Sequence, residues 1–283
     1  MNNSSLYQRS EEFLCCLKLN FTTIKGNDMS KKLSIQDTVI VLAIPGNSPS
    51  VANAEFFQYS GIIPQGYKLA RQPVYTQQNA QLTFTDSSDN VISIVSEPNR
   101  IIFMEAVGNR EISSLQIASI ASKYAKALPN MEIEAVGINP RGYVSFTSEE
   151  DAARKYMVEN ILCPGAAWQS EGTKPMRASV NLVYDYEHAS MYLNISEAGL
   201  RKEDETSTPI VMFNGSFSYE LEGETKEEKQ ENLHKVIENW QTDVAIYSDL
   251  VNNKFLAQLP EEATVEDIAE LKEESKDVFA MSA

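Results

Sequence analysis

The residues best placed to do binding chemistry lie in one short stretch, Gly137-Ile138-Asn139-Pro140-Arg141-Gly142. Glycines and a proline bracket Asn139 and Arg141, so the stretch reads as a turn at a strand end. There an amide and a guanidinium can take an anion or a partner's carboxylate. The plainer alternative is that Asn139 tolerates an unusual backbone angle and Arg141 is simply solvated. Trp168 sits near a polar joint in the middle of the chain. It reads either as an interface anchor or as a plug in the seam between two halves.

Catalytic signatures are missing. The two histidines, His188 and His234, fall in different expected elements, a hairpin turn and a long helix, and read as exposed residues without a role. Three cysteines (Cys15, Cys16 and Cys163) and two histidines at no ligand spacing do not make a structural metal site. There is no nucleophile elbow around a serine and no signature around Cys163. The 137–142 glycine spacing lacks the Lys and following hydroxyl of a phosphate loop, and Pro140 removes an amide that such a loop uses. No dinucleotide fingerprint occurs. The sequence therefore implies no catalytic residues, metal or cofactor. Carboxylates are numerous, and the one composite site considered is Glu105, Glu134 and Asp185 brought together by folding, the arrangement of a metal-assisted hydrolase.

Charge points the same way. The formal net charge is −16, and residues 197–283 carry 21 of the 40 acidic but only 8 of the 24 basic residues. Phosphate neutralisation needs clustered Lys and Arg, so nucleic acid is not an expected partner. No apolar run approaches the roughly 20 residues that span a bilayer, which argues against a membrane partner. An odd, sparse cysteine count is no disulfide framework and suits a reducing cytoplasm.

The elements that must position these residues follow from periodicity. Residues 38–44, TVIVLAI, form a β-branched run stopped by Pro45-Gly46, a buried strand. Residues 50–58 suit a short helix. Residues 81–84, 91–95 and 101–107 read as three strands, and the turn-rich separators 86–90 and 97–99 favour an antiparallel meander. A helix follows, capped by Ser113 or Ser114, with Ile117, Ile120, Ala121, Tyr124 and Leu128 on one face. Residues 132–138 and 143–146 read as strands either side of the turn, and Thr147-Ser148-Glu149-Glu150 opens a second helix to about Leu162. Residues 176–187 and 191–195 suit a hairpin, 199–208 a charged loop, and 209–221 a long strand bulged at Asn214-Gly215. One long helix is expected from Lys226 to Phe255, with Leu233, Ile237, Trp240, Val244, Tyr247 and Val251 on its apolar face.

These elements predict an α+β fold of two antiparallel sheet-plus-helix halves, residues 35–165 and 175–256, joined near 163–175. Strands precede a long helix in each half, a rhythm that points to structural duplication. Residues 1–34 read as a disordered or partly ordered arm, with Met29 as an alternative start, and 257–283 as an acidic tail with a short helix near 264–275.

The strand pairs and helix leading into Gly137-Ile138-Asn139, and a second sheet followed by a long C-terminal helix with aromatic anchors, resemble a sporadically distributed prokaryotic family of uncharacterised proteins of about this length. The resemblance covers roughly residues 36–256. It implies no activity, cofactor or site residue. The functional expectation is a non-enzymatic cytoplasmic factor that binds a protein partner (an inhibitor, an immunity-type protein or an assembly subunit) through the C-terminal helix and tail. The alternative is the hydrolase with the composite carboxylate site.

Overall fold

The computed structural model describes residues 32–146, 151–162, 165, 167–173, 175–201 and 206–257. The expected N-terminal arm up to residue 31, the start of the second helix at 147–150, and the acidic tail from 258 lie outside the described residues.

The ten strands among the described residues are β1 (Ser34–Ala43), β2 (Lys68–Leu69), β3 (Val74–Tyr75), β4 (Ala80–Thr85), β5 (Val91–Glu97), β6 (Arg100–Ala106), β7 (Ala135–Ser145), β8 (Ser179–Asp185), β9 (Ser190–Arg201) and β10 (Ser207–Glu220). They form one antiparallel sheet in the order β2-β4-β5-β6-β1-β7-β10-β9-β8, with β3 also beside β4. The α+β class is as expected. The two separate sheets are not: β1 pairs with β6 on one side and with β7 on the other, fusing the halves into one sheet. The meander β4-β5-β6 turns where its separators require it. Asp86 accepts from the backbone of Ser88 and Asn90, and Asn99 takes a positive φ of 71° after Pro98.

Alternation along the strands sends two sets of side chains to opposite faces. Ile40, Leu42, Ile101, Phe103, Val136, Ile138, Phe213, Phe217, Leu193 and Ile195 join one core with residues of every α-helix. The helices are α1 (Ala54–Tyr59), α2 (Ile117–Ala127), α3 (Ala152–Tyr156), α4 (Lys226–Glu238) and α5 (Trp240–Leu250). Phe57 of α1 stacks on Tyr124 of α2, with ring centroids 5.5 Å apart, and Phe103 of β6 meets Tyr124 edge-on. The residues of opposite phase, such as Asp37, Val39, Ile102 and Met104, are buried but stand outside this core. Among the described residues the helices therefore cover one face of the sheet.

Several local expectations change. Ser113 and Ser114 lie in a 3-10 turn, and Glu105 of β6 caps α2 instead, its carboxylate accepting the Gln116 N–H at 2.7 Å. The expected helix from 226 to 255 is interrupted. α4 starts at a Thr225–Glu228 capping box and ends at Asn239, whose side chain accepts from Thr242 Oγ1 and whose carbonyl accepts from Thr242 N. A short polar side chain that bonds to nearby groups in this way competes with helical continuation. α5 then passes into a π-turn, Val251–Leu256. β10 keeps one register against β9 and against β7, so the bulge expected at Asn214-Gly215 is absent. Among the described residues no helix is long and apolar enough to cross a membrane.

Candidate binding face of the sheet

The 137–142 stretch is not a turn. It is the middle of β7, which lies at the centre of the sheet. Its glycines and proline serve packing. Pro140 has no N–H, and the β7–β10 ladder has no pairs between Arg141–Asn214 and Ile138–Phe217. The ring of Tyr247 from α5 lies over this spot. A Cβ on Gly215 would meet it at 2.9 Å and Pro140 Cγ at 3.3 Å, and a Cβ on Gly142 would meet Leu33 Cδ1 at 2.7 Å. Tyr247 donates its hydroxyl to the Phe213 carbonyl at 2.7 Å. Turn-like residues thus stand in a strand because an aromatic ring approaches its backbone.

The strand places Asn139 and Arg141 two residues apart, so both point to the face that bears no helix among the described residues. Arg141 forms a two-pronged pair with Asp37 of β1: Nε donates to Oδ1 and Nη2 to Oδ2, each at 2.6 Å. A β-bulge between Ile35 and Asp37 sets this alignment, because the register before the bulge would place Gln36 opposite Arg141. The Asp37 side chain is 1% exposed and that of Arg141 19%. Burial opposes the Arg141 charge, but the Asp37 carboxylate and its hydrogen bonds outweigh burial and hold the pKa above its ordinary value. Met104 Sδ lies 3.1 Å from Nη2.

Register extends this position across the sheet. Asp37, Arg141, Asn214, Asn194 and Asn181 stand side by side on β1, β7, β10, β9 and β8. Asn194 donates to Ser179 and Asn181. In the next row Val39 and Met104 stand beside Asn139, whose Oδ1 accepts from Ser216 at 2.9 Å. The Asn139 amide nitrogen has no partner among the described residues. Within β1 and β4–β10 the only cations on this face are Arg141, held by Asp37, and Arg100, held by Glu97 at 2.6 Å. The face is a mosaic of apolar and hydrogen-bonding groups with both cations matched and two exposed acids, Asp185 and Glu220, at strand ends. Trp168 stands apart from it, in a 3-10 turn, Ala167–Ser170, and is 55% exposed.

The carboxylates proposed for hydrolysis do not converge. Glu105 is buried on the helix side, bound to Arg110 at 2.8 Å. Burial raises its pKa, partly offset by Arg110 and the α2 amides. Asp185 has the opposite phase on the edge strand β8 and is exposed, as is Glu134 just before β7. The composite site is overturned because two of its members lie on opposite faces. Among the described residues no three His, Cys, Asp or Glu side chains are grouped to hold a metal ion.

Two contacts escaped sequence reasoning. Asp243 of α5, fully buried, accepts from Tyr219 at 2.7 and 2.8 Å and faces His188 Nε2 at 3.3 Å. Burial raises the Asp243 pKa, partly offset by Tyr219 and His188. Burial and the Asp243 carboxylate both raise that of Tyr219. Ser122 Oγ lies 2.9 Å from His234 Nδ1, joining α2 to α4. Each histidine has a partner on another element, 55 and 112 residues away respectively, so neither contact had a sequence signal. Neither contact supplies a serine or cysteine beside both a base and an oxyanion-binding turn, so both act as structural ties.

No protein-family model and no curated protein matches this chain.

Proposed function

We propose that this chain is a non-enzymatic protein-binding factor that works in the cytoplasm as an inhibitor, an immunity-type protein or an assembly subunit. The sheet face that bears no helix among the described residues would be the contact surface. The observation that carries the reading is the make-up of that face: half-buried Asn139, Ser216 and Met212 stand around a rigid Asp37–Arg141 pair, with Val39 and Met104 buried beneath them and no nucleophile–base arrangement among them. Because both cations are already matched, the face favours a neutral surface that offers apolar groups and hydrogen bonds, and it disfavours a polyphosphate. The expected contact through the C-terminal helix gains less support. The outer face of α4 is solvated acid and lysine, and the tail lies beyond the described residues.

The resemblance to the sporadically distributed prokaryotic family belongs to this reading. So does the duplication, with a shift in where it divides. Outward from the β1–β7 pair the order is β6-β5-β4 on one side and β10-β9-β8 on the other, each a meander ending on the strand next to its own first strand. That symmetry supports repeats that begin at β1 and β7.

Photo-crosslinking tests the contact surface. A crosslinking residue at Met212 or Tyr143 should give adducts with one partner, and the same residue at Lys235 on the solvated side of α4 should not. Adducts from Lys235 alone would refute the assignment.

A further inference from the structure

We propose that β8 is the edge through which two copies of this chain pair, making one antiparallel sheet that runs through both. The two ends of the sheet differ. One ends in β2 and β3, of two residues each, which are too short to template another strand. The other ends in β8, seven residues long, with unbroken register against β9. Its sequence, SVNLVYD, has none of the lysines or prolines that usually blunt an edge. Ser179, Asn181, Val183 and Asp185 are all exposed, Val183 by 56%.

The hydrogen-bond phase of this edge follows from the hairpin. Tyr186 N–H donates to the Ala189 carbonyl at 2.9 Å, so 186 and 189 are a bonded pair. Alternation then bonds 184, 182 and 180 to β9 and leaves the N–H and C=O groups of 179, 181, 183 and 185 pointing outward. Among the described residues β9 is the only neighbour of β8 in the sheet.

This edge is self-complementary. In a two-fold antiparallel pairing centred on Leu182, Asn181 meets Val183 and Ser179 meets Asp185, each in both directions. Outward groups then face outward groups throughout, for about eight new hydrogen bonds. Val180 meets Tyr184 on the helix side, where both are half-buried. Continuing the register sets Arg177 against Glu187 on both flanks. Both are exposed and have no ion-pair partner among the described residues. Centring on Asn181 sets Arg177 against Asp185 but shortens the ladder, and centring on Val183 shortens it and leaves Arg177 unmatched. The full ladder, together with matched charges on both flanks, selects a second copy in the Leu182 register.

Sedimentation velocity of the full chain across the micromolar range should show a dimer. Val183→Pro removes an outward N–H without touching the β9 ladder, and should weaken the dimer at least about tenfold with an unchanged circular dichroism spectrum. Arg177→Glu and Glu187→Arg should each weaken it, and the double variant should recover it. With Cys15, Cys16 and Cys163 replaced by serine, Leu182→Cys should form an intermolecular disulfide on mild oxidation, because residue 182 faces itself as a non-bonded pair. Val180→Cys and Tyr184→Cys should not. A monomer at every concentration, or a dimer indifferent to both Val183→Pro and the charge reversals, would overturn the proposal and leave the edge to another occupant.

Discussion

Breaking the Asp37–Arg141 pair from one side should cost far more than replacing it whole. Asp37→Asn removes the counter-charge and turns one acceptor into a donor facing a guanidinium. Removal of one partner from a buried ion pair typically costs about 3–5 kcal/mol. Arg141 keeps 19% of its side chain exposed, so partial solvation lowers the expectation to about 2–4 kcal/mol. With a urea m-value near 3 kcal/mol/M for a domain of this size, the midpoint should fall by about 1 M. The double variant Asp37→Leu with Arg141→Met replaces the pair by apolar side chains beside Met104, and should lie within about 1 kcal/mol of the parent. Urea unfolding followed by tryptophan fluorescence measures both. A loss under about 0.5 kcal/mol for Asp37→Asn, or a double variant as damaged as the sum of the singles, would refute the reasoning. If the face binds a protein as proposed, the double variant should also lose its crosslinks from Met212 while keeping its stability.

Further outcomes follow from other contacts. Gly215→Ala should destabilise by about 1–3 kcal/mol, because its methyl enters the space of the Tyr247 ring; thermal melts would show it, and an unchanged melting temperature would contradict the close approach. Thr225→Ala should cost about 1 kcal/mol by opening the capping box of α4, detectable as helix loss in circular dichroism near the unfolding midpoint. Asp243 has a raised pKa in the folded chain, mainly through burial, with Tyr219 and His188 facing it. The folded state therefore holds that proton more tightly than the unfolded one, and the stability this contributes below pH 3.8 is lost as pH rises through the folded pKa. Asp243→Asn, which still accepts from Tyr219, should decline less over that window; parallel melts of parent and variant from pH 4 upward test this, and parallel curves would refute it.

Much of the scaffold was legible because its causes are local. The meander β4-β5-β6 follows from alternation, from the Asx turn at Asp86, whose bonds lie within a few residues, and from the positive φ that Asn99 takes after Pro98. α2 follows from apolar spacing. The 137–142 stretch misled for the same reason. Glycine, proline and asparagine favour a turn when only neighbours matter, but here the neighbours that matter are Leu33 and Tyr247, each more than 100 residues from Gly142. Asn139 and Arg141 were recognisable as polar residues of interest, while Asp37, 104 residues before Arg141, was not. Its one signal was an acid at the start of an otherwise apolar strand.

The amino-acid sequence by itself determined the α+β class, most strands, the apolar faces of the helices and the concentration of acid towards the C-terminal end. Those properties depend on spacings of two to four residues and on composition. Only the tertiary structure decided that the halves share one sheet, that Asn139 and Arg141 lie in its central strand, and that the acids considered for hydrolysis fall on opposite faces. Those outcomes depend on strand register and on ring-to-backbone contacts, which are made between residues far apart in the chain and leave no periodic trace in it.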